Sequence, residues 1–282
     1  MRHPVLLALC LAGTVGLTAC QHGVSRSQAD RAVADAAQVD QSNLSDVMLN
    51  VADPNEAVTY FRNALAVTPD RIGLKRGLAK SLSRAHLYTE AKSVLTDILV
   101  SPQANDDDRL SLVDVMIRDN DWSGAEAELA KIPPTVETYE RYRLEALVAD
   151  SKHNWKKADS FYEIAVGLTG KPQGVLNNWG FSKLTRGDGA AAEKLFIQAL
   201  TYDPTMFTAK NNLVLARAAQ HKYDLPVVQM TQEERAQLLY TAGLAAVKQG
   251  DVSIGKQLLQ EAVDTSPIYF EAASRSLNAL GG

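Results

Sequence analysis

The sequence predicts an all-α protein, a right-handed α-α superhelical solenoid of about seven helical hairpins, and three observations predict it. A small residue returns at Ala57, Ala91, Ala125, Ala158 and Ala192, at spacings of 34, 34, 33 and 34. If those alanines are position 20 of each unit, position 16 reads Asp53, Asp121, Asn154, Asp188 and Asp251, five side chains able to cap a helix in seven units. Prolines that cannot continue a helix fall near position 32, at Pro69, Pro204 and Pro267. A period of this length belongs to helical repeat arrays, and it favours a binding scaffold over an enzyme. Position 20 is where two helices cross, so a side chain larger than Ala or Gly would hold their axes beyond the usual spacing of about 8–10 Å.

Unit one supplies Asp53, then Pro54 at a first helical position where its missing N–H costs nothing, followed by Ala57, Phe61, Ala64 and Pro69. Units two and six lack the cap, having Leu87 and Lys222 there, so those turns must close another way. Tyr88, Trp122, Trp155 and Tyr223, each one residue beyond the cap position, read as core plugs between helices. Unit five is the most regular, with Leu176, Trp179, Gly180, the turn Arg186-Gly187-Asp188, then Ala192, Phe196, Ala199 and Pro204. In unit six Pro226 stands at position 20, where it would remove a helical hydrogen bond and clash with the preceding turn at a cost of roughly 3 kcal/mol. An irregular, extended segment is therefore expected near 223–230, with a new helix starting at the capping box Thr231-Gln232-Glu233-Glu234. Unit seven carries Gly243, Gly255, Leu259, Ala262 and Pro267. With these residues in these places, the chain resembles the tetratricopeptide (TPR) family over most of its length.

Residues 1–19 are expected to be a lipoprotein signal peptide. Arg2 gives a short positive start, residues 5–17 are almost wholly apolar or small, and Leu17-Thr18-Ala19-Cys20 resembles the bacterial lipobox. Cleavage would leave Cys20 as a lipidated N-terminus, residues 20–28 as a polar tether and 29–282 as the solenoid. Gln21 stands where Asp would direct inner-membrane retention, so the expected location is the periplasmic face of the outer membrane. Of the two cysteines, Cys10 leaves with the signal and Cys20 carries lipid, so no disulfide is expected. Removing 19 of 282 residues leaves 263, with 28 basic against 33 acidic side chains and a net charge of −5, which gives no reason to expect nucleic acid.

Candidate catalytic and metal motifs dissolve on inspection. His86, His153 and His221 all occupy position 15, two repeats apart, too far for bonds of about 2 Å to one metal. Asp106-Asp107-Asp108 opens a predicted helix, where acids complement the macrodipole. Lys80-Ser81 lacks the glycine a phosphate loop needs, since Ala79 precedes it. No catalytic residue, cofactor, metal or small-molecule substrate is implied.

In the tetratricopeptide family, positions 2, 5, 9, 12 and 13 of the first helices line a concave groove, and the resemblance implies protein partners there. Unit two places Arg76, Lys80 and Arg84 on one helix face; this stripe is either a docking surface for an acidic segment or a solvated face. Asn177, Asn178, Asn211 and Asn212 in units five and six are placed to hydrogen-bond an extended peptide backbone. The lipobox, the array, and the stretches Asn-Trp-Gly-Phe-Ser, Ala-Lys-Asn-Asn-Leu and Leu-Pro-Val-Val-Gln-Met-Thr between Asn177 and Pro267 together resemble the TadD-type lipoproteins of the tight-adherence (Flp) pilus. That resemblance implies a scaffold assembling the pilus at its secretin. The alternatives are a pilotin or scaffold lipoprotein of another envelope machine, and a periplasmic cell-wall enzyme or its regulator.

Overall fold

The structure, a computed structural model, describes residues 44–281, so the signal peptide, Cys20, the tether and the start of the solenoid lie outside it. Residues 44–50 are helical and belong to a unit ending at Asp53. From Pro54 onward the chain forms a second unit, in which helices are the only regular structure among the described residues. It runs α1 (Pro54–Val67), α2 (Ile72–Arg84), α3 (Tyr88–Leu99), α4 (Asp106–Arg118), α5 (Trp122–Leu129), α6 (Tyr139–Ser151), α7 (Trp155–Gly167), α8 (Gln173–Thr185), α9 (Gly189–Tyr202), α10 (Phe207–Ala218), α11 (Gln232–Lys248), α12 (Val252–Thr265) and α13 (Glu271–Gly281). Each helix packs on its chain neighbour, and the first helices α4 and α6, like α8 and α10, also touch each other, as stacked hairpins require.

Helix starts follow the repeat. Pro54, Tyr88, Trp122, Trp155, Gly189 and Val252 each stand at position 17, and each opens a second helix. The five period-setting alanines are completely buried. Phe61, Leu95, Leu129, Tyr162 and Phe196, one helical turn later, are buried as well, and so is Leu259 one turn after Gly255. Close approach explains two glycines. A Cβ on Gly180 would lie 2.7 Å from Cε1 of Phe196, and one on Gly255 would lie 2.9 Å from the Gly243 carbonyl oxygen, so α11 and α12 cross backbone to backbone.

The turns inside the hairpins close by a device absent from the sequence reading. Position 15 takes the left-handed conformation in His86, Asn120, His153 and His221, with φ of 58–60°, and in Gly187 and Gly250. This lets the next N–H donate back five residues, as in Leu87 N to Leu82 O at 2.9 Å and Lys222 N to Arg217 O at 3.0 Å, the Schellman closure. The turns at Leu87 and Lys222, where no capping side chain stands, close in this way as well. The non-glycine residues at this strained position are held from the side: the rings of His86 and Tyr88 lie 5.7 Å apart, those of His153 and Trp155 4.7 Å, and Trp122 Nε1 donates to Asn120 Oδ1 at 2.7 Å.

Side-chain capping is rarer than position 16 promised. Asp121 and Asp188 accept from Gly124 N and Ala191 N at 3.0 Å, but Asn154 and Asp251 make no capping bond. Asp251 is occupied elsewhere, accepting from Tyr223 Oη at 2.5 Å. Unit six has no second helix. Tyr223 is buried against Ala218 and Ala246, while Leu225, Val228 and Met230 fill the space a helix would have occupied. The capping box at Thr231 is present in both directions, and α11 begins four residues before its position in the repeat. Beyond the seventh unit, α13 packs on α12 and buries Ala273.

Candidate partner-binding grooves

Two cavities open along the first helices, and they contain six of the seven residues predicted to meet a partner. The first, about 550 Å³, lies over α2 and α4 and reaches Glu140 on α6. The second, about 500 Å³, lies over α6, α8 and α10.

The first groove contains Arg76, Lys80 and Arg84, spaced four apart on α2 as the helical period requires. Arg76, however, is engaged with the chain itself. Its guanidinium donates to both oxygens of Asp108, at 2.7 and 2.8 Å, and to the Gln103 carbonyl at 3.0 Å. Asp108 is buried at the third residue of α4 and also accepts from Asn105 N in a capping box. Burial works against its ionisation, but the bonds from Arg76 and Asn105 outweigh that and hold the carboxyl below its ordinary range. The acidic run thus opens a helix, as expected, and in addition clamps two repeats together. Asp114 plays the same part for the next pair: burial opposes its charge, but Arg143 Nη2 at 2.6 Å and Arg118 Nε at 2.5 Å keep its carboxyl low. Four cations line this groove, Arg76, Lys80, Arg84 and Arg118, against four acids, Asp107, Asp108, Asp114 and Glu140. The basic stripe of the sequence is therefore one wall of a charge-balanced groove.

The second groove has a different chemistry. Leu147, Asp150 and Ser151 of α6, Asn177, Asn178, Phe181, Ser182 and Thr185 of α8, and Thr208 and Asn212 of α10 line it. Its turn-side edge is formed by Trp122, His153 and Trp155. Asn212 Nδ2 donates to Asn177 Oδ1 at 3.0 Å, joining two units through side chains that are both buried. Asn178 lines the cavity beside them. Asn211 does not: it accepts from Thr241 Oγ1 at 2.8 Å and ties α10 to α11. Asp150 is the carboxylate of this lining, with one oxygen accepting from Tyr162 Oη at 2.8 Å and the other from Ser182 Oγ at 2.7 Å. Burial pushes its pKa up despite those bonds.

Nearby positive charge is spent behind the wall. Asp159 accepts from Lys183 Nζ at 2.8 Å, Arg186 Nη2 at 2.7 Å and Trp179 Nε1 at 2.6 Å. Burial opposes its ionisation, yet these donors together bring its pKa down to about 2. The same Arg186 guanidinium lies 5.1 Å from the centre of the Trp155 ring.

Sequence reasoning missed Phe181, whose side chain is 51% exposed in the groove. It sits at position 9 of unit five, so the repeat itself pointed to it. It also treated Trp122 and Trp155 as plugs. Trp122 does pack on the core of α4–α6, but both rings are half-buried and line the second groove as well.

No protein-family model matches this chain, and no curated protein matches its sequence. Among solved structures, a chain in the crystal structure of the APC/C hetero-tetramer Cut9–Hcn1 superposes with a TM-score of 0.60 at 13% identity, over 84% of this chain and 48% of that one. A tetratricopeptide repeat protein from Parabacteroides merdae superposes with a TM-score of 0.55 at 13% identity, over 85% of this chain and 97% of that one. This chain therefore spans about half the length of the first and nearly all of the second. At such identities the likeness establishes the fold, a tetratricopeptide helical solenoid.

Proposed function

We propose that this protein is an interaction scaffold that holds a segment of a partner protein along its first helices. The observation that carries the reading is the second groove, where α6, α8 and α10 contribute side chains from equivalent repeat positions to one cavity of about 500 Å³, with amide side chains beside half-buried aromatic rings. A cavity of this size, mostly apolar with a few placed polar groups, is the usual form of a binding site.

The setting proposed for the scaffold is the periplasmic face of the outer membrane, held by lipid on Cys20, with a role in assembling the tight-adherence pilus at its secretin. Leu17-Thr18-Ala19-Cys20 and the Asn177–Pro267 stretches support this reading. Stable anchoring needs more than one acyl chain, which a lipoprotein N-terminus supplies. A pilotin or scaffold of another envelope machine is the alternative, resting on the same lipobox. The test is a tagged capture from gently solubilised envelopes, read by mass spectrometry. Recovery of a secretin with pilus proteins supports the pilus assignment; recovery of barrel-insertion or cell-wall proteins removes it and keeps the scaffold. In the same preparation, mass spectrometry of the mature N-terminal peptide is expected to find it beginning at an acylated Cys20, and an unmodified Cys20 would refute the lipid anchor.

A further inference from the structure

The sequence directs attention to the cationic stripe and hence to an acidic partner, but the structure redirects it. We infer that the partner segment is extended and uncharged, lies in the second groove, and sets an aromatic or branched aliphatic side chain against Phe181, Trp122 and Trp155; this rests on the scaffold reading.

Charge decides the class of partner. Among the described residues the second groove has no lysine or arginine in its lining, and both oxygens of Asp150 are occupied by Tyr162 and Ser182. A carboxylate brought here would lose hydration with no cation to replace it. Lys183 of α8 and Arg186, just past its end, are bound to Asp159. A cationic segment fares little better, because the burial that raises the pKa of Asp150 leaves that carboxylate a poor exposed counter-ion. The first groove shows no preference of sign either, its four cations being matched by four acids.

Apolar and amide chemistry then says what does fit. Phe181 presents a half-exposed ring in a concave site that Trp155 and Trp122, from two other units, also line. Beside the rings stand Asn177, Asn178 and Asn212, amides that carry donors and acceptors together. Such groups pair with a peptide main chain, which offers one N–H and one C=O per residue. In an extended segment alternate side chains point to opposite sides, so the main chain can meet the asparagines while every second residue faces the rings. The groove covers three first helices; two helix spacings of about 8–10 Å make about 20 Å, the reach of about six extended residues.

The experiment uses the full chain and labelled decapeptides with a common Ser/Asn/Thr background and two guest positions, i and i+2, filled by Phe, Leu, Asp or Lys. Binding is read by fluorescence anisotropy for the wild type, Phe181→Ser, Asn178→Ala and Lys80→Glu, with melting curves for each. The expected result is that Phe and Leu peptides bind, that Phe181→Ser weakens them at least tenfold and Asn178→Ala several-fold, and that Lys80→Glu leaves them unchanged. Preference for the Asp peptide with loss in Lys80→Glu overturns the inference in favour of the first groove. Equal binding by Phe181→Ser and wild type, or no binding of any peptide, also overturns it. Should Phe181→Ser melt early, Asn178→Ala at an unchanged melting temperature decides. Repeating the envelope capture with Phe181→Ser separates the two readings: a specific partner still recovered leaves the scaffold standing without this site, and no specific partner for the wild type removes the scaffold.

Discussion

The groove over α2 and α4 and the groove over α6, α8 and α10 are formed from the same repeat positions, yet they differ in what their side chains are free to do. Position 5 holds Arg76 in one and Asn177 in the other. Arg76 is pinned to Asp108 on the next first helix, and Asn177 is joined to Asn212. The ion pair spends its charge on holding repeats together, whereas the amide pair still has hydrogen-bonding capacity to offer. The repeat thus fixes where a side chain stands, while the residue opposite, one unit away, decides whether it serves the fold or a partner.

That contrast can be broken at several points. The heaviest penalty, about 1–3 kcal/mol, is expected for Ala192→Leu, which overpacks the helix crossing of unit five; an unchanged urea midpoint would show that position 20 is not the tight crossing its burial indicates. Arg76→Ala comes next, at about 1–2 kcal/mol, because it takes both guanidinium bonds from the buried Asp108 carboxylate. If the midpoint does not move, the first groove is not held by ion pairs.

The charges behind the second groove are tested by acid. The pKa of Asp159 is depressed to about 2 from an ordinary 3.8, so its contribution is complete above about pH 4 and disappears as pH falls toward 2. Acid titration of the wild type against Asp159→Asn should therefore show the two stabilities converging across that window, and parallel curves would contradict the assignment. Asn212→Ala is expected to cost about 0.5–1.5 kcal/mol, since it removes one buried hydrogen bond. Lys80→Glu, on an exposed side chain, should change stability by no more than about 0.5 kcal/mol; a larger loss would mean the charge balance of the first groove is itself structural.

Much of this architecture was readable in advance because packing repeats and partner choice does not. The alanines at position 20, the start of every second helix at position 17, Pro226 as a helix breaker and the capping box at Thr231 all follow from steric rules acting within a few residues. What escaped notice depends on neighbours distant in sequence. Arg76 meets Asp108 across 32 residues, and Asp251 gives up capping because Tyr223, 28 residues earlier, donates to it. The left-handed histidines escaped for a different reason. Glycine is the usual signal for that conformation, and His86, His153 and His221 adopt it with an aromatic ring standing two residues later.

The missing helix of unit six leaves a mark on how the solenoid should come apart. Between α10 and α11 the usual hairpin partner is absent: Val214 of α10 packs directly on Leu238 and Ala242 of α11, and Lys210 with Glu234 and Asn211 with Thr241 add polar ties. In an array whose units feel only their neighbours, a joint of this kind separates cooperative blocks. Hydrogen exchange of α11–α13 should accordingly speed up as one body at urea concentrations below the main transition, while α6–α10 keeps its protection: the protein carries a seam at which its last three helices can let go together.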